Sequence, residues 1–352
     1  MILPVEIVFH PSWWHRHAGI CFDRDFFYDP RRRVADERQM EQVLYDRFGQ
    51  WGLGADRDKD LPQIGAVHNA AGYLLSEMLG CEIVYADDAA PQVLCAHRDD
   101  FELPDAFQSE AFHRLETLFD ALQSKYGYLC GDINWSGVLN LAMDLKGENV
   151  LLDMMLNPEE CRAYFDGIAS VVERFFSYIQ QRTGSNSVSV NRLVRHLPQP
   201  VFLHSECSHT MISEDDYRAF LMPYDLRWSR QYRPFGIHYC GKDPHRYAQA
   251  FAELPHLDFL DLGWGGDVAA LRRALPDTFL NIRLSPVELN SYTDAQLESI
   301  VVDLVRQSAG QPGPGNKACL TGVCCINMDA DVDDARIHTL LRTVESLRRE
   351  YC

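Results

Sequence analysis

The chain has 352 residues, 46% of them hydrophobic and 24% charged, with 51 Asp+Glu against 33 Lys+Arg and a net charge of −18. These fractions are those of a globular protein, and the acidic excess argues against nucleic acid or an anionic membrane as a partner, since either would repel the chain. With no apolar run of about 18 residues and no basic start, neither a spanning helix nor a secretory signal is expected, and the chain reads as cytoplasmic.

Apolar, β-rich runs alternate with helical patterns, which predicts βα units and a largely parallel sheet. Strands are expected at Ile2–Phe9, Cys81–Ala86, Gly127–Asn134, Pro200–Glu206, Phe235–Cys240, Leu257–Gly263, Thr278–Leu284 and Lys317–Cys325. Residues 22–65, rich in Asp, Arg and aromatics, read as a cap or lid inserted after the first strand. Asn157-Pro158 should open a helix, with the Asn as cap and the Pro where its missing N–H costs nothing. Behind it Ile168, Val171, Val172, Phe175, Phe176 and Ile179 repeat at helical spacing and predict one buried stripe. Ser213 with Asp216, and Thr293 with Gln296, look like capping boxes, and Pro223 should bend or end the helix it follows. Gly263-Trp-Gly-Gly266 lacks the spacing of a dinucleotide loop and reads as a strand-to-helix turn. Gln311-Pro-Gly-Pro-Gly315 reads as a loop, and the run Asp329 to Asp334, without a calcium loop's glycine, as a helix start. Eight strands with intervening helices predict a single (β/α)8 TIM barrel with an irregular N-terminal cap, its active residues at the C-terminal strand ends.

The segment richest in chemistry is Gly236-Ile237-His238-Tyr239-Cys240-Gly241. On a strand, i and i+2 share a face, so His238 and Cys240 point the same way and match two zinc ligands. Gly322-Val323-Cys324-Cys325, at the end of the last strand, offers one more thiol, because neighbours on a strand point oppositely. Glu206 ends another strand and is a candidate fourth ligand or base. Three protein ligands with one exchangeable position would mark a catalytic zinc. The same residues also fit a simpler role, a buried thiol as a small apolar group and an imidazole on a backbone carbonyl. The eleven cysteines are odd in number and scattered, which reads as mostly reduced thiols.

From about Tyr126 onward the chain resembles the uroporphyrinogen decarboxylase superfamily, and within it the zinc-dependent, corrinoid-linked methyltransferases. The segments that carry the resemblance are Gly131-Asp-Ile-Asn-Trp-Ser-Gly137, Leu151-Leu-Asp-Met-Met-Leu-Asn-Pro158, Ile212-Ser-Glu-Asp-Asp-Tyr-Arg-Ala-Phe-Leu-Met-Pro-Tyr224 and Ile237-His-Tyr-Cys-Gly241. The resemblance implies a (β/α)8 barrel and a zinc ion on His238, Cys240 and either Cys325 or Cys324, with Cys325 nearer the loop leaving its strand. It further implies a corrinoid (cobalamin) cofactor supplied by a partner protein. The chain departs from the decarboxylase branch near its N-terminus, where His10-Pro-Ser-Trp-Trp-His-Arg-His-Ala-Gly19 replaces an Arg-rich loop and Arg16 alone does not rebuild it.

Asn134, Trp135 and Trp264 follow strand ends and are candidate substrate contacts, as is His204 beside Glu206. Trp13 and Trp14, with His15 and His17, read either as an aromatic substrate wall or as packing beneath the cap. The expected activity is transfer of a methyl group between a small substrate, such as a methoxylated aromatic compound, and the corrinoid. The rival reading is a metal-free decarboxylase of a polycarboxylated substrate, which would need a basic cluster at the barrel mouth.

Overall fold

The computed structural model describes residues 2–64, 72–130, 136–184, 192–197 and 199–352. Its strands are β1 (Val5–Phe9), β2 (Glu82–Ala86), β3 (Ala89–Leu94), β4 (Phe202–Ser205), β5 (Phe235–His238), β6 (Phe259–Asp261), β7 (Phe279–Leu284) and β8 (Thr321–Met328). Six of them form one sheet in the order β1-β8-β7-β6-β5-β4, parallel at every junction. A parallel bridge from Ser136 to Ser205 extends it past β4, and another joins Gln63 to Cys130. Helices separate the successive strands of this six-stranded sheet, as a TIM-barrel fold requires.

One strand expectation needs correction. Cys81–Ala86 does contain β2, but this strand pairs antiparallel with β3 in a separate two-stranded hairpin. The next apolar run begins two residues further on, so local hairpin closure captures it. The hairpin's Val84 and Leu94 stay about two-fifths exposed, whereas β4 to β7 are buried throughout, as parallel strands covered on both faces are. Of the expected strand Gly127–Asn134, residues 131–134 lie outside the described residues.

Pleating divides the strand residues into two sets. Ile7, Ile282, Leu284 and Cys325 belong to the main core, while Val8, Cys324 and Ile326 form a small cluster of their own on the opposite strand faces. By the same alternation Asn281 and Arg283 share the inner face with Cys324, the register partner of Arg283.

The helices begin where the sequence signals them. Pro158 opens Pro158–Thr183, and its predicted stripe is buried, with Val171 at the edge. Asn157 does not cap this helix; its side-chain amide donates to Asp153 Oδ1 at 3.2 Å. Both capping boxes form, and Asp333 accepts from the Ala335 N–H at 2.9 Å to start Asp334–Tyr351. Ahead of Pro223 the chain winds one π-helical turn, Tyr217–Leu221, before Met222–Gln231, which accommodates a residue without an N–H.

The aromatic residues of the first βα segment are packing, not an open wall. Trp13 and Trp14 are fully buried, and Trp13 stacks on Phe9 with ring centroids 4.0 Å apart. The Arg47 guanidinium lies 4.6 Å over Trp13 and also binds Asp334 at 2.6 Å, tying Pro30–Phe48 to the last helix. Trp51 adds a hydrogen bond to His338 of 3.0 Å. Trp13→Ala should therefore lower unfolding stability by ~3–5 kcal/mol in denaturant titrations. A loss below ~1 kcal/mol would instead mean that the ring borders open space.

Candidate metal centre

β4 and β5 lie side by side with Ser205 opposite His238, so the turns leaving their C-terminal ends meet. The turns after β5 and β6 touch backbone to backbone: a Cβ on Gly263 would fall 1.6 Å from the Gly241 carbonyl oxygen, so only glycine fits there. On the other side the Gly137 N–H donates to the Ser205 carbonyl at 2.7 Å, and Asn140 bridges the Ser205 carbonyl and the Ser208 N–H at 2.9 and 2.8 Å. These contacts fix the turn that carries Cys207.

Three ligand-bearing side chains converge between the two turns. His238 Nε2 lies 2.9 Å from Cys240 Sγ, and the Cys207 and Cys240 sulfurs are in contact, with Cα atoms 5.0 Å apart. The ligand atoms of Cys207, His238 and Cys240 all lie within 4.8 Å of one another. His238 is buried and both cysteines are half-buried, so the group opens outward on its sulfur side. The structure pairs the two cysteines as a disulfide; once reduced, two thiols and an imidazole are a donor set that fits zinc, leaving a fourth position for an exchangeable ligand.

A buried polar array backs the imidazole. His238 Nδ1 is hydrogen-bonded to Asp261 Oδ2, Arg283 donates to the same oxygen at 3.0 Å, and Asn281 donates to Asp261 Oδ1 at 2.8 Å. Burial works against the Asp261 carboxylate, but Arg283 and His238 outweigh it and hold the group below its ordinary pKa. For His238, burial outweighs the Asp261 charge and favours the neutral ring that a metal requires.

The sequence candidates divide accordingly. His238 and Cys240 come together as expected, but the third member of the group is Cys207, not Cys325 or Cys324. Cys325 packs into the main core on the outer strand face, where burial raises its thiol pKa. Cys324 faces inward with Val8 and Ile326 but does not join the group. Glu206, expected as a ligand or base, also stays out of it. Its carboxylate sits at the start of Val138–Lys146, 3.4 Å from the Leu139 N–H, and burial pushes its pKa up to about 7. Gly137 makes room for it, since a Cβ there would lie 2.0 Å from Glu206 Oε1. His204, expected at the substrate, points to the helix layer and bonds Asp225 at 2.9 Å, because the pleat turns it opposite to Ser205. Asn134 and Trp135 lie outside the described residues. Trp264 lines a cavity of 160 Å³ together with Arg283, Ser285, Glu288 and Tyr292.

Sequence reasoning missed Cys207, Asp261, Asn281 and Arg283. Cys207 directly follows the chosen Glu206, and a polar residue at i and i+2 in the otherwise apolar Phe279–Leu284 was a visible signal.

No family model matches the chain, and no curated protein matches it in sequence. Among solved structures it is similar to a methyltransferase from Methanosarcina mazei, with 11% identity, a TM-score of 0.68 and coverage of 99% of this chain and 94% of that one. It is also similar to a B12-independent methionine synthase from Shewanella sp. W3-18-1 in complex with selenomethionine, with 10% identity, a TM-score of 0.54 and coverage of 99% of both chains. At these identities the likeness is one of fold, a TIM barrel, as the sequence predicts.

The geometry separates the three candidate thiols by experiment. Metal analysis of the reduced protein should show Cys207→Ala losing most of the bound metal and Cys325→Ala keeping it. The reverse pattern would return the third ligand to the last strand.

Proposed function

We propose that this chain is a zinc-dependent methyltransferase that moves a methyl group between a small substrate and a corrinoid carried on a partner protein. The observation that carries the reading is the convergence of Cys207, His238 and Cys240 at the C-terminal ends of β4 and β5, where barrel enzymes place their chemistry. The fold shared with a methyltransferase and a methionine synthase supports it.

In this reading the three side chains hold the ion, and zinc when bound supplies Lewis acidity, stabilising a substrate thiolate or polarising an ether oxygen. His238 offers Nε2 because Asp261 occupies Nδ1. The half-buried cysteines leave an approach for the substrate, while the closed inner face of the barrel keeps water from the imidazole side. The decarboxylase reading gains no support. Arg16 is paired with Asp331 at 2.6 Å on the surface, and Arg283 is paired with Asp261.

Purified, reduced protein should carry close to one zinc per chain, and Cys240→Ala should lose most of it, as a methyl group cannot replace a thiolate. A transfer assay with free cob(I)alamin should then demethylate one of methoxybenzenes, methanol, methylamines or methylated thiols. Zinc-loaded protein inactive with all of them, in both directions of transfer, would overturn the assignment. Since Trp13 and Trp14 are closed off, the preference for methoxylated aromatics rests on Trp264 and on Trp135, which lies outside the described residues, and activity confined to an aliphatic donor would remove it.

A further inference from the structure

The inner face of the barrel carries charge where apolar packing would be cheaper. Asp261, Asn281, Arg283 and His238 are each at most 2% exposed, on three adjacent strands, with His238 opposite Asp261 and Asp261 opposite Asn281 in register. Removing an ion pair from water costs several kcal/mol per ion, so a buried pair is weak evidence of stabilisation and calls for another explanation. The array centres on one carboxylate and the imidazole nitrogen it meets: Asn281 and Arg283 donate to Asp261, and Arg283 Nη2 also lies 3.0 Å from His238 Nδ1. The other nitrogen of the same ring faces the two sulfurs.

We infer that Asp261, clamped by Arg283 and Asn281, is a positioning residue that sets the tautomer and the angle of His238 for a metal. This rests on the metal reading above. With the Nδ1 proton directed at Asp261, the lone pair of Nε2 is left for the ion, and the ring cannot rotate without breaking that bond. Arg283 serves this pair: its Nη2 lies 3.0 Å from Asp261 Oδ2 and 3.0 Å from His238 Nδ1, holding the oxygen that His238 uses. Asn281 fixes the second oxygen, so the carboxylate cannot swing. The array thus gives a three-ligand site a fixed donor before the ion arrives.

The test is a double-mutant cycle on zinc affinity, measured on the full reduced chain by competition with a chromophoric chelator. Asp261→Ala should weaken binding roughly 10- to 100-fold, the usual loss when such an outer partner is removed. In a His238→Ala background the same change should alter affinity less than about twofold, because its effect runs through the ring. Cobalt(II) substituted for zinc should show a changed visible spectrum in Asp261→Ala at saturating metal, which a general loss of stability would not produce. Should Asp261→Ala leave Arg283 stranded and the protein unfolded, Asp261→Asn keeps the shape and completes the same cycle. Equal losses in both backgrounds, or wild-type affinity in a folded Asp261 variant, would overturn the inference. Wild-type protein that takes up no zinc would overturn the metal reading itself.

Discussion

The hydrogen bond between Asp261 and His238 is the constraint around which the centre is arranged. It joins two strands that are already paired by backbone bonds, and it consumes a carboxylate that burial would otherwise neutralise. Arg283 keeps that carboxylate ionised from β7, one strand further on. A site placed on strands in this way inherits the rigidity of the sheet, whereas ligands on loops alone would move with them.

The cysteines cannot be on strands in the same sense, since both follow a strand end. Cys207 is held instead by the helix Val138–Lys146, which binds the Glu206–Ser208 turn from its first residues. Glu206 stands at that helix start, where backbone N–H groups are unpaired and favour a negative or accepting group. The residue that looked like a ligand is therefore part of the support for the candidate ligand beside it.

Strand positions in the second half of the chain were legible because fully buried parallel strands leave apolar runs between helix signals; β4 to β7 each fall within the expected spans, and β8 overlaps its span but runs on to Met328. The chemistry at their ends was legible for His238 and Cys240, which alternation places together. It did not extend to Glu206 and Cys207: with Ser205 opposite His238, alternation sends Cys207 to the side of Ser205 and Glu206 to the side of His204, and that register is not readable from the sequence. The choice between Cys325 and Cys324 failed for a related reason: nearness to the outgoing loop says nothing of the face, and the pleat turns Cys325 into the outer core. Trp13 and Trp14 illustrate a different limit. Their contacts are with Phe9, with each other, and for Trp13 with His17 and Arg47, and sequence alone gives no sign of how completely these partners enclose them.

The convergence of Cys207 and Cys240 also restricts the state of the centre. Two thiolates whose sulfurs are in contact repel one another, so they do not coexist uncompensated. They can remain protonated, be oxidised to a disulfide, or share a cation. A disulfide would satisfy the sulfurs but leave no role for an imidazole whose second nitrogen is aimed at them. Protonated thiols would leave the Asp261 and Arg283 array holding that ring for no partner. A shared cation would engage both cysteines, the histidine and the charged support behind it, which is the state that the proposed function requires.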